Sequence, residues 1–134
     1  MRSSCRYKLK APQENYNRRE TMKELNNMVC IPCPAESLPM TESQCKRLLE
    51  NIPGWELEKK DGLIRLRRSF TLPDFMSALA FSNRVGELAE AEQHHPELII
   101  AWGSVTVTWW THSIKGLHIN DFIMAARTSA LESD

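Results

Sequence analysis

A chain of 134 residues, 42% hydrophobic and 25% charged, fits one soluble globular domain with a modest core. It has no apolar run near the roughly 18 to 20 residues of a membrane span, and no apolar secretory stretch close to Met1, so the cytoplasm is the expected compartment. Formal net charge is zero but uneven: residues 1–36 hold seven Lys or Arg and four Glu, leaving ten of the 17 basic and 13 of the 17 acidic residues to 37–134. A mildly acidic folded part argues against a nucleic-acid backbone as a direct ligand.

Residues 1–36 show no sustained helical or alternating period, and 13–20 are too polar to bury. They read as a flexible N-terminal extension, with the domain proper at 37–134. Four basic and no acidic side chains among the first thirteen residues resemble an organelle-targeting segment, the alternative to the cytoplasm. Cys30-Ile-Pro-Cys33 is formally C-x-x-C, but it has no second pair and lies in a Pro-punctuated stretch, so it reads as chance spacing.

From Thr41 the signals become orderly. Thr41-Glu-Ser-Gln44 is a capping box ahead of a helix carrying Cys45, Leu48, Leu49 and Ile52 on one face, with Pro53-Gly54 ending it. Strands are expected at 55–58 and 63–70 around a turn at 59–62, an antiparallel pair. Thr71 reads as the N-cap of a second helix, with Pro73 in its first turn, running to about Gln93. Its apolar residues, among them Leu72, Phe75, Met76, Phe81 and Val85, span more than half the helical wheel. That breadth predicts a second buried surface, hence a homodimer or homotetramer with Phe81 or Val85 near an inter-subunit contact. His95 precedes Pro96, which disfavours helical backbone, so the helix stops at or before it. Strands at 97–101 and 104–111, a turn at Trp102-Gly103 and a helix over about 120–131 complete an α-β-β-α-β-β-α order. This is an α+β domain, a four-stranded antiparallel sheet with helices packed on one face.

Glu90-x-x-x-His94-His95-Pro96, then Trp102, His112 and Asp121, gathers three of four histidines with two carboxylates. Imidazole gives and takes protons near neutral pH, so the cluster points to acid–base chemistry. An intact last turn of the second helix would put Glu90 and His94 on one face at i and i+4. The same inventory suits zinc, but adjacent His94 and His95 would need a bent corner to ligate together, and no metal is expected. Histidines that merely satisfy caps and turns are the bland alternative, credible singly and less so for the whole set.

The spacing of these residues, with Trp-Thr-His before Ser113 and Gly-Leu before His118, resembles the signature of the pterin-4a-carbinolamine dehydratase family over residues 38–134. The resemblance implies dehydration of 4a-hydroxytetrahydropterin to quinonoid dihydropterin, the recycling of tetrahydrobiopterin, with no cofactor. It implies His94 and His112 as an acid–base pair, His95 as a catalytic group that positions and polarises the substrate, Glu90 and Asp121 as carboxylates that orient the imidazoles, and Trp102 as a pocket wall. Gln93, Trp102 and His118 depart from the family's usual acidic, tyrosine and small hydroxyl residues, and His118 reads as an exposed turn residue. Some family members also serve as dimerisation cofactors for a homeodomain transcription factor, so a transcription-factor partner is the alternative function.

Overall fold

The computed structural model describes residues 25–28 and 38–132. Their elements are α1 (Glu42–Leu49), β1 (Glu56–Lys60), β2 (Leu63–Thr71), α2 (Phe75–Glu92), β3 (Glu97–Ala101), β4 (Ser104–Trp109) and α3 (Ile119–Glu132), the order read from the sequence. The strands form one antiparallel sheet in the order β1-β2-β4-β3.

Local chemistry sets the boundaries. The α1 capping box is present in both directions: Gln44 N–H donates to Thr41 Oγ1 at 3.2 Å, and Thr41 N–H donates to Gln44 Oε1 at 2.9 Å. β1 runs two residues further than expected, so the hairpin turn is Asp61-Gly62 alone. Both residues have positive φ, 54° and 80°, the tight primed turn that an Asp-Gly pair favours. Thr71, expected as a helix N-cap, is instead the last residue of β2. Asp74 caps α2, its Oδ1 accepting from Ser77 N–H at 2.8 Å, because the chain must first clear the strand and Pro73. β4 is shorter than expected, and Thr111 makes only an isolated bridge to Gly116.

Register assigns the two faces. Leu57, Leu66, Phe70, Val105, Val107 and Trp109 share one side, which α2 and α3 cover to build the core. Glu58, Arg65, Arg67, Ser69 and Thr106 lie on the other. The broad apolar arc of α2 divides in an unexpected way. Phe81 and Val85, expected at an inter-subunit contact, are 1% and 0% exposed within the single chain and belong to its core, while Phe75 and Met76 are exposed. Most of the expected extension, with Cys30, Cys33 and any targeting segment, lies outside the described residues. Within 25–28, Leu25 is fully buried and Met28 packs against the core, so these four residues join the folded unit.

Candidate active site

Three chain segments meet at one end of the sheet, and a single carboxylate joins them. Asp121, in the first turn of α3, is fully buried. Its Oδ2 accepts from Thr111 Oγ1 at 2.7 Å and from His118 N–H at 3.0 Å, and its Oδ1 lies 2.7 Å from His94 Nε2. An ionised carboxylate only accepts, so the imidazole carries its proton on Nε2, and the neutral tautomer keeps its lone pair on Nδ1. The ring of His94 lies parallel to Trp109, with centroids 5.6 Å apart. Trp109 is itself pinned by its indole N–H to Thr128 Oγ1 at 3.2 Å.

His94 reaches this position because α2 ends earlier than the expected i, i+4 geometry required. The helix stops at Glu92, Gln93 turns left-handed at φ 54°, and its N–H closes onto Ala89 and Glu90 carbonyls. That reversal takes His94 off the Glu90 face. Glu90 pairs instead with His95, Oε2 to Nε2 at 2.6 Å, on the exposed side of the corner. Each carboxylate thus holds one imidazole, but the partners are Asp121 with His94 and Glu90 with His95.

His112 opens a short 3-10 turn directly after Thr111, so the Thr111–Asp121 bond brings it to the same rim. Its ring is exposed and stacks on Trp110, centroids 4.5 Å apart and planes 12° from parallel. Trp102 is not part of the cluster. It sits 74% exposed beyond the far end of β3, seven residues past His95, a separation of roughly 20 Å along an extended chain. A cavity of about 260 Å3 between Phe70, Pro73, Phe81 and Arg84 also lies away from the histidines.

His118 corrects an expectation. It is half-buried rather than exposed, and its Nδ1 accepts from Asn120 N–H at 3.1 Å, doing at the start of α3 what a Ser or Thr hydroxyl commonly does. Burial holds its pKa below the ordinary imidazole value; the Asp121 carboxylate opposes this and nearby His94 adds to it. Behind Asp121 on the core side lies Cys45 of α1, its thiol pushed up to about 11 by burial and by the Asp121 and Glu42 charges, hence protonated and unreactive. Among the described residues no group of three or more His, Cys, Asp or Glu side chains is placed to hold a metal ion. Trp110 and Thr111 belong to the quoted motif, but their contacts and that of Trp109 are not legible in the sequence, because alternation along a strand says which face a residue takes, not which ring it will touch.

The chain is similar to known proteins. A family model described as pterin 4 alpha carbinolamine dehydratase matches residues 38–131. A Chlorobium limicola protein provisionally named pterin-4-alpha-carbinolamine dehydratase is 58% identical over 110 residues, which is 82% of this chain and 97% of that protein. A similarly named protein of Chlorobaculum tepidum is 51% identical over 110 residues, 82% of this chain and 99% of its own. Among solved structures, a transcriptional coactivator/pterin dehydratase from Brucella melitensis is similar, with 36% identity and a TM-score of 0.63, over 69% of this chain and 97% of that one.

Proposed function

The chain belongs to the pterin 4 alpha carbinolamine dehydratase family, and from that premise we propose that it dehydrates a 4a-hydroxytetrahydropterin by imidazole acid–base catalysis. The observation that carries the reading is the Asp121 carboxylate, which fixes His94 in one tautomer and ties the strand end bearing His112 to the same rim. In the reaction the C4a–O bond breaks, the oxygen leaving as water with a proton from one imidazole. The N5 lone pair closes the N5=C4a double bond, and the N5 proton passes to the other imidazole. His94 and His112 are the proposed pair, with His95, oriented by Glu90, positioning and polarising the substrate. Two well-placed proton transfers, each contributing about 10² to 10⁴ in rate, suffice for an elimination whose substrate already carries the leaving group.

The product is the quinonoid dihydropterin and the proposed role is recycling of tetrahydrobiopterin in the cytoplasm. Of the described helices, none is long and apolar enough to cross a membrane. The test is the decay of the carbinolamine followed with purified protein, without added metal and again with a chelator. We expect decay well above the buffer rate and indifferent to chelator. Buffer-rate decay, or activity abolished by chelator and restored by zinc, would sink the reading.

Self-association is part of the proposal. Among the described residues β3 is an edge strand paired with β4 alone, and Ile99 and Ile100 are exposed along it at 55% and 37%. Antiparallel pairing of two β3 edges about Ile99 would set the partner subunit's Trp102 opposite Pro96, next to His95. Trp102 would then wall the pocket across an interface, the role it does not fill within its own chain. The second functional reading, a non-catalytic dimerisation cofactor for a transcription regulator, draws on the coactivator name of the Brucella melitensis relative; the decay assay separates the two.

A further inference from the structure

Of the four histidines, three have a ring nitrogen bound by protein: His94 by Asp121, His95 by Glu90, and His118 by the Asn120 amide. His112 differs. It stands exposed at the start of a three-residue turn whose last residue, Ile114, is buried, and among the described residues what holds its ring is the stack on Trp110, 4.5 Å between centroids and 12° between planes. An exposed imidazole with free rotamers spends only part of its time aimed at a substrate, and a stack of this kind raises the population of one rotamer by roughly two- to ten-fold.

Trp110 is itself held. Register pairs Leu66 with Trp109, so one step further along the same ladder sets Arg65 beside Trp110, on the sheet face away from the helices. The Arg65 guanidinium lies over the Trp110 ring, 4.7 Å from its centroid. Arg65 is only 7% exposed and is fixed by Glu58 of β1, whose Oε1 accepts from Nε at 3.1 Å and from Nη2 at 2.5 Å. The side chains Glu58 of β1, Arg65 of β2, Trp110 just past β4 and His112 therefore run in sequence and end at the proposed active-site rim. A tryptophan already occupied by a guanidinium and an imidazole is a brace rather than a landing surface for substrate.

We propose that Trp110, braced by Arg65, is a positioning residue that holds the His112 ring in its working rotamer. The proposal rests on His112 being one of the acid–base pair. It makes His112 the one imidazole of the site aligned by an aromatic contact instead of a carboxylate or amide.

The test combines NMR with kinetics on the full chain. In the wild-type protein the His112 ring protons, assigned by their loss in His112→Asn, should lie upfield of ordinary histidine positions because they sit over an indole. Trp110→Leu should move them back and lower kcat roughly ten-fold with KM changed less than about two-fold, and Trp110→Phe should recover most of both. A wild-type spectrum without the upfield shift overturns the brace, whether or not Trp110→Leu folds. So does a Trp110→Leu protein whose signals move while kcat stays at the wild-type value. If His112→Asn itself turns over at the wild-type rate while the upfield shift is present, the acid–base reading of His112 has failed rather than the stack, and the positioning role falls with it.

Discussion

His94→Ala should lower kcat by about two to four orders of magnitude, the range that one positioned proton-transfer group contributes. The substitution removes the ring whose tautomer Asp121 sets through the 2.7 Å contact, so no nitrogen remains at that place to exchange a proton. Folding should survive. Asp121 keeps two donors on Oδ2, the Thr111 hydroxyl and the His118 amide, and loses the partner of Oδ1, a cost of about 3 kcal/mol, at the upper end for a buried acceptor because the carboxylate is charged. The pairing with His112→Ala is more telling than either change alone. Groups of one acid–base unit are non-additive, so the double variant should be little worse than His94→Ala. Rates near wild type in the double variant would show that solvent or another side chain carries both protons. Steady-state carbinolamine decay, with circular dichroism as the control for folding, gives the answer.

Phe81→Glu should abolish the folded state rather than split an assembly. Phe81 is 1% exposed and its ring packs on Phe70 with centroids 4.8 Å apart. Losing a buried phenyl ring costs about 3–5 kcal/mol, and a carboxylate in its place adds a desolvation cost. A small domain has only about 5–15 kcal/mol to lose, so far-ultraviolet dichroism should collapse at ambient temperature. Ile99→Lys makes the contrast: on an exposed edge it should leave the fold intact and lower the sedimenting mass if β3 edges pair between subunits. A folded Phe81→Glu protein of reduced mass would mean that α2 is divided between core and partner differently. A wild-type chain sedimenting as a sharp monomer of 15.4 kDa at micromolar concentration would refute self-association.

The two substitutions mark what could be read from residue order alone. Asp61-Gly62, the Thr41–Gln44 box and His95-Pro96 announced a turn, a helix start and a helix stop, because each works through backbone within a few residues. The apolar period of α2 announced a buried face. It left open how that face is shared, since Phe81 and Phe75 are equally apolar and only the three-dimensional position of the sheet separates them. At the site, the residue types were legible. That the ends carrying His94, His112 and Asp121 meet at one rim was not, since it depends on the Thr111–Asp121 and His94–Asp121 contacts made across the fold. Nor was it legible which carboxylate serves which imidazole: the pairing turns on one left-handed residue, Gln93, and nothing in a glutamine demands φ 54°. His118 differs from its expected exposure for a related reason: at the head of α3 it lies among Asn120, Asp121 and His94, and a Gly-Leu-His turn read by itself does not announce that burial.

The imidazole at the head of α3 makes the start of that helix depend on protons. A Ser or Thr hydroxyl accepts from a helix amide at any physiological pH, whereas His118 Nδ1 accepts from Asn120 only while it is unprotonated. Its pKa lies below the ordinary imidazole value of about 6.5 in the folded chain, so between the two values the unfolded chain binds more protons than the folded one. Stability from this group is therefore complete above about pH 6.5 and drains away as pH falls through the folded pKa. His118→Ser should flatten that limb of a thermal-denaturation series between neutral and mildly acid pH, and an unchanged slope would show that His118 is not the group responsible. Acidification would loosen the very turn that carries Asp121, so organisation of the rim and hold of the helix would weaken over the same pH interval.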